Sequence, residues 1–172
     1  MKTVLIAAVT LDGKIAKSAY HNVNWTSKKD KLFFRKETQK AGAVIFGSNT
    51  YKAISRPMPK CLNIIMTRQP QKYQSKTQEG LLEFTSDSPR VILDKLAKKG
   101  FKTAVIGGGS AIYSLFLQAG LIDEIYLTVA PKIFGTGVNL FKDMEINEVN
   151  WRLINVGKLG KGEVLVKYKI KT

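Results

Sequence analysis

"VIGGGSAIY", residues 105–113, decides the fold. Val105 and Ile106 read as the end of a buried strand, three glycines as a turn, and the apolar run from Ser110 as a helix. Gly107, Gly108 and Gly109 allow backbone geometry that other residues resist and let N–H groups approach a ligand closely. The helix start adds partial positive charge, which suits a pyrophosphate. The stretch is not GxGxxG, and no acid stands at the usual ribose spacing, so a plain tight connection is the competing reading. "VIFGSNTY", residues 44–51, repeats the logic: strand, Gly47, then Ser48, Asn49 and Thr50 opening a helix. Two helix starts at the C-terminal ends of parallel strands suit the two ends of a dinucleotide. "IIMTR" adds Thr67 and Arg68 beyond a third strand. An arginine there suits a 2′-phosphate and would favour NADP over NAD; otherwise it is a surface charge.

The elements around these motifs alternate. "TVLIAAV" reads as a strand, Ser27 to Lys40 as a helix, "AVIFG" as a strand, "NTYKAI" as a short helix and "LNIIMT" as a strand. "RQPQKYQSKTQ" reads as a polar surface connection and "GLLEFT" as a short strand. "DSPRVILDKLAKKG" carries helix punctuation: Asp87 or Ser88 as cap, Pro89 in the first turn and Gly100 as stop. "DEIYLTVAP" is a strand, and "WRLINVGKLGKGEVLVKYKI" reads as a hairpin. The expectation is an α/β fold of three layers. A central, mostly parallel sheet carries helices on both faces and an antiparallel C-terminal hairpin at one edge. No repeat or linker interrupts residues 1–172, so a single domain is expected.

Charge and composition narrow the function. Lys+Arg 28 against Asp+Glu 13 gives a formal +15, a field that attracts anions. The lysines are spread along the chain and form no nucleic-acid motif, so no specific nucleic acid is expected; a solvated basic surface is the plain reading, ahead of any single partner such as a phosphorylated cofactor or a poly-acid metabolite. One Cys and one His exclude an internal disulfide and a His/Cys zinc cluster. No metal is expected. The cysteine usage suits a reducing, cytoplasmic setting, and no apolar run approaches membrane-span length.

"NWTSKKDKLFFRKE", residues 24–37, holds one acid, Asp30, before its final Glu. Ser27 and Asp30 have the spacing of a helix N-terminal box, and an acid in the first turn complements the helix dipole. Asp30 also stands four residues before Phe34, hence on the same face. If Phe34 faces inward, Asp30 points into an apolar cleft, with a raised pKa and a need for an amidine-like ligand partner. Thr128, in "IYLTV", is placed to support it.

"IAAVTLDGKIA", "NW" followed by an acid, "VIFGSNTYKAISRPMP", "NIIMTR", "VIGGGSAIY" and "IYLTV" occur in the order found in dihydrofolate reductases, which the chain resembles as far as about Val129. "LDGKIA" and "GLIDEIYLTVAPKIFGTGVNLF" look more like the related pyrimidine reductase of riboflavin synthesis. The first resemblance implies NADPH-dependent reduction of 7,8-dihydrofolate to tetrahydrofolate, with Asp30 aiding protonation of the pterin. It implies that Trp25 orders the active-site loop and that Thr128 supports the acid. Ile6, Ala8, Phe34, Ile54 and Met58 would contact substrate, with Arg56, Ile106 and Ile112. Ala7, Ile15, Gly47, Ser48, Asn49, Thr50, Thr67 and Arg68 would hold NADPH, with Gly107, Gly108, Gly109, Ser110 and Ala111. Residues 16–24 would form a mobile lid, with His21 as a surface residue, and Asp12 would be structural. Cys61 stands where an arginine usually holds the folate carboxylate, which leaves Arg35, Arg56 or Lys60 for that part. The alternative implied activity is NADPH-dependent reduction of a ribosylamino-pyrimidine phosphate. Dihydrofolate and NADPH are the expected partners, and a monomer is expected before a dimer.

Overall fold

The computed structural model describes residues 1–18, 24–142, 144–160 and 162–171. Ten strands and four α-helices are formed there: β1 Lys2–Thr10, β2 Lys14–Ala16, α1 Lys28–Ala41, β3 Ala43–Gly47, α2 Ser48–Ile54, β4 Leu62–Met66, β5 Leu82–Thr85, α3 Pro89–Lys98, β6 Thr103–Gly108, α4 Ser110–Gln118, β7 Glu124–Ala130, β8 Val138–Asn139, β9 Trp151–Lys158 and β10 Val164–Ile170. Eight strands make one sheet in the order β5-β4-β3-β6-β1-β7-β10-β9. The first six are mutually parallel, and β10 runs antiparallel to both β7 and β9. The expected fold class is the observed one.

The layering follows from period-two alternation in strands buried on both faces. Leu5 and Ala7 of β1 and Ala104 and Ile106 of β6 pack with Ile92 and Leu96 of α3 and Phe116 of α4. Val4, Ile6 and Val105 point the other way and pack with Phe33 and Phe34 of α1 and Tyr51 and Ile54 of α2. Ser88 caps α3, its side chain accepting from the Val91 N–H, with Pro89 behind it. The expected polar connection contains a 3-10 turn, Pro70–Lys76.

One pairing lay outside the sequence reading. β2 and β8 pair as a separate antiparallel ribbon that ties the chain after β1 to the chain after β7. Asp12 pins the same junction: it accepts from the Thr10 hydroxyl at 2.5 Å and from the N–H groups of Phe134 at 3.2 Å and Gly135 at 2.8 Å. Asp12 is therefore a structural acid. His21 and the middle of the expected lid, residues 19–23, lie outside the described residues.

Candidate active site

A cleft of about 2020 Å³ opens at the C-terminal ends of β1, β3, β4 and β6. Its floor is the glycine turn. Opposite Phe46 the β3–β6 register slips by one residue, from Ile45↔Ile106 to Phe46↔Gly108, so Gly107 is the extra residue of a bulge. A Cβ on Gly107 would stand 2.4 Å from Phe46 Cε1. Gly108 has φ +95°, and a Cβ there would stand 2.6 Å from Tyr113 Cζ. The Gly108–Gly109 peptide is cis. Tyr113 itself is buried and donates its hydroxyl to the Ile6 carbonyl at 2.8 Å, which locks α4 to β1 beneath the cleft.

Both helix starts open into this cleft without a side-chain cap. Gly47 precedes α2 and Gly109 precedes α4, and neither end makes a side-chain cap hydrogen bond. Gly47, Ser48, Asn49 and Thr50 line one part, and Gly107, Gly109, Ser110 and Ala111 line the next. Thr67 and Arg68 line the end beyond β4. Backbone donors, helix dipoles and a guanidinium in one groove form a cradle for a phosphorylated dinucleotide. The residues expected at the cofactor thus line one groove. Gly108 is the exception, being turned under the floor, where it contributes backbone only.

The other half of the cleft is built on α1. Asp30 is 9% exposed and lines the cleft with Phe34, Ile54 and Met58. The N-terminal box predicted from spacing is only half formed by α1 itself. Ser27 caps the helix by accepting from the Asp30 N–H at 3.1 Å. The return half is made by another residue: Glu163, from the β9–β10 connection, accepts from the Ser27 N–H at 2.9 Å and from the Ser27 hydroxyl. The Asp30 carboxyl is therefore not part of the cap. Burial pushes its pKa up, the Thr128 and Thr26 hydroxyls pull it down, the charge of Glu163 raises it and that of Lys31 lowers it, with a net rise. Thr128 is fully buried on β7; its Oγ1 is near enough to favour the charged acid but has no hydrogen bond of regular geometry among the described residues.

Trp25 lies at the mouth. Its Nε1 donates to the Ile15 carbonyl at 3.2 Å, and its ring meets Phe134 edge-on at 5.2 Å. Lys132 donates to the Trp25 carbonyl at 2.8 Å. Ile6, Ala7, Ala8, Ile15, Arg56 and Ile112 also line the cleft. Ile106, expected to meet substrate, is fully buried in β6 and reaches the core instead, because strand alternation turns it towards α3 and α4. Lys28, Lys31, Arg35, Lys52 and Arg56 line the α1–α2 side, and none forms an ion pair among the described residues. Lys60 lies outside the lining. Cys61 is buried, and burial pushes its thiol up to about 11, so it is an inert core residue. No metal-ligating cluster occurs among the described residues, and none of their helices is long and apolar enough to cross a membrane.

Glu163 is the participant the sequence reading missed. Its signal was present: it is the one acid in residues 151–172.

The family model described as RibD C-terminal domain matches residues 2–165. The Bacillus subtilis protein YwjB is 27% identical over 168 residues, covering 93% of this chain and 93% of its own length. Dihydrofolate reductase of Haemophilus influenzae is 30% identical over 128 residues, covering 72% of this chain and 69% of its own. The fold is shared with a Thermotoga maritima diaminohydroxyphosphoribosylaminopyrimidine deaminase/5-amino-6-(5-phosphoribosylamino)uracil reductase at a TM-score of 0.78 and 21% identity. That match covers 99% of this chain and 56% of the Thermotoga chain, so this chain spans little more than half of that protein's length.

Proposed function

We propose, from the premise that the chain belongs to the RibD C-terminal domain family, that it reduces the ribosylamino-pyrimidine phosphate of riboflavin synthesis. The family, like the related dihydrofolate reductases, uses NADPH, and the protein is a reductase of that type. The observation that carries the proposal is the joining, in one cleft, of a buried acid, two uncapped helix starts and a set of cations without ion pairs among the described residues.

Each part has a task. Gly47, Ser48, Asn49 and Thr50, with Gly109, Ser110 and Ala111, hold the dinucleotide phosphates through backbone N–H groups and hydroxyls. Arg68 pairs with the 2′-phosphate. The cofactor supplies a hydride when bound. Lys28, Lys31 and Arg35, at one-turn spacing along α1, face the substrate phosphate, with Lys52 and Arg56 across from them. Phe34, Ile54 and Met58 exclude water around the ring. The substrate bond reduced is the C=N of the ring-opened ribosylamine: opening breaks the ribose C1–O bond, the ring oxygen takes a proton and the nitrogen gives one up, and C1 of the resulting imine then gains hydride while its nitrogen must gain a proton. Asp30 is the acid within the cleft that serves that nitrogen, directly or through one ordered water, and its raised pKa suits the donor role. Thr128 and Thr26 orient it.

A second reading is favoured by one feature. A carboxylate against apolar walls complements the amidine edge of a pterin, which a uracil ring does not offer, and this supports dihydrofolate as substrate. The test is direct. Purified protein and NADPH are mixed with 5-amino-6-(5-phosphoribosylamino)uracil in one cuvette and dihydrofolate in another, and loss of NADPH absorbance is followed. Oxidation in the first alone bears out the proposal. Oxidation in the second alone replaces it with the second reading. Oxidation in neither, with NADPH bound, refutes both.

A further inference from the structure

We propose that Glu163 is a positioning residue for the acid of the cleft: by engaging both the N–H and the hydroxyl of Ser27, it completes the start of α1 from outside and leaves the Asp30 carboxyl turned into the cleft. The inference rests on Asp30 being the acid of a reductase, as proposed above.

Helix starts of this form normally satisfy themselves. The cap serine accepts from the third residue, and the acid at that residue reaches back to the cap N–H. Here the first half is made, Asp30 N–H to Ser27 Oγ at 3.1 Å. The second half is denied to Asp30, because the Ser27 N–H already donates to Glu163 Oε1 at 2.9 Å. The Ser27 hydroxyl proton goes to Glu163 Oε2 as well. A continuous relay results: Asp30 N–H, Ser27 Oγ–H, Glu163 carboxylate.

Glu163 is built for that position. It is 5% exposed, yet forms no ion pair among the described residues, although six Lys and Arg share residues 151–172 with it. A buried carboxylate whose partners among the described residues are neutral donors is costly, and a hydrophobe of similar size would serve stability better. The turn is shaped around it. The Leu159 N–H donates to the Glu163 carbonyl at 3.0 Å, and a Cβ on Gly160 would stand 3.2 Å from Glu163 Oε2. The carboxylate also acts at a distance. Asp30 is faced by Lys31 on its own helix, Thr26 before it, Thr128 on β7, Tyr113 on α4 and Glu163 from the hairpin. Burial holds the Tyr113 phenol neutral, so Glu163 is the negative charge in that set. It disfavours ionisation of Asp30, as a second carboxylate beside a catalytic acid does. The C-terminal hairpin thereby governs both the direction and the protonation of an acid more than a hundred residues earlier in the chain.

The test is Glu163→Gln, read by the ¹³C signal of the Asp30 carboxyl in the folded protein without substrate, with Asp30→Asn to assign the signal. The expected result is titration of Asp30 at a lower pH than in wild type. An unmoved Asp30 titration overturns the inference. So does a variant that stays unfolded even with saturating NADPH, because Glu163 would then act in folding alone. In turnover, the expected companion change is a fall in kcat at neutral pH with the alkaline limb of the pH–rate profile moved to lower pH, and KM for NADPH unchanged. The titration needs no substrate. A shifted Asp30 signal in a protein that reduces neither candidate substrate would leave this inference standing and remove the proposed function; turnover with an unmoved signal would do the reverse.

Discussion

Asp30→Asn separates the two things an acid at a helix start can do. Ser27 supplies the cap through its hydroxyl, and Glu163 fills the return half of the box, so the Asp30 carboxyl donates nothing to the cap that an amide would lose. What remains is its attraction to the helix dipole, about 0.3–1 kcal/mol. Against that stands the burial that pushes its pKa up, a cost the neutral amide escapes. The two oppose, so net stability at neutral pH should change by less than about 1 kcal/mol, or roughly 2–4 °C in Tm for a domain of this size. The sign depends on pH. A carboxyl whose folded pKa is raised contributes most while it is protonated, below its ordinary range, and loses that contribution as pH rises through the raised value. Wild type should therefore gain on Asp30→Asn as pH falls through that window, and the variant should be the flatter of the two. Turnover should behave differently. Losing a positioned proton donor costs about 10²–10⁴ in rate, which is roughly 2.7–5.4 kcal/mol of barrier. Thermal melts across pH and NADPH oxidation with the active substrate make the comparison. Turnover within about threefold of wild type, together with a Tm loss beyond about 4 °C, would refute the reasoning and make Asp30 a structural acid.

Gly107→Ala places a methyl 2.4 Å from Phe46 Cε1 in a ring that is 2% exposed. Overpacking of this kind costs about 1–3 kcal/mol, a Tm loss of roughly 2–12 °C in a thermal melt. Arg68→Gln should weaken NADPH by roughly 10- to 150-fold while leaving NADH affinity as it was, which fluorescence titration of the two cofactors measures. Cys61→Ala should leave turnover unchanged, and the wild-type thiol should resist alkylation at neutral pH until the protein is unfolded, because burial holds it protonated. With the active substrate, the rate in wild type should fall as pH rises through the raised range of Asp30, since only the protonated acid can donate.

The sequence by itself determined the layers and the glycine turns that line the cleft. Strands such as "AVIFG" and, after Thr103, "AVIGG" are apolar throughout because both faces are covered, as a parallel sheet between helix layers asks. Gly47 and the Gly107–Gly109 turn were legible because backbone chemistry at a strand–helix junction is local: few residues other than glycine fit beside Phe46 or at φ +95°. Asp30 was legible as a residue but not as a role, since its spacing from Ser27 favoured a helix cap and only the apolar face it shares with Phe34 pointed to an acid in a cleft. Only tertiary structure takes its carboxyl out of the cap, through a carboxylate arriving from the far hairpin to take the Ser27 N–H. Ile106 shows the same limit from the other side. Its neighbours in the motif line the cleft, but one step of strand alternation turns its side chain into the core. The β2–β8 ribbon, three residues against two, was too short to carry a periodic signal and exists because Asp12 and Trp25 hold its two parent loops together. Local geometry is written in adjacent residues. Which distant group meets which helix start depends on the sheet order, and that order is set by packing of the whole chain.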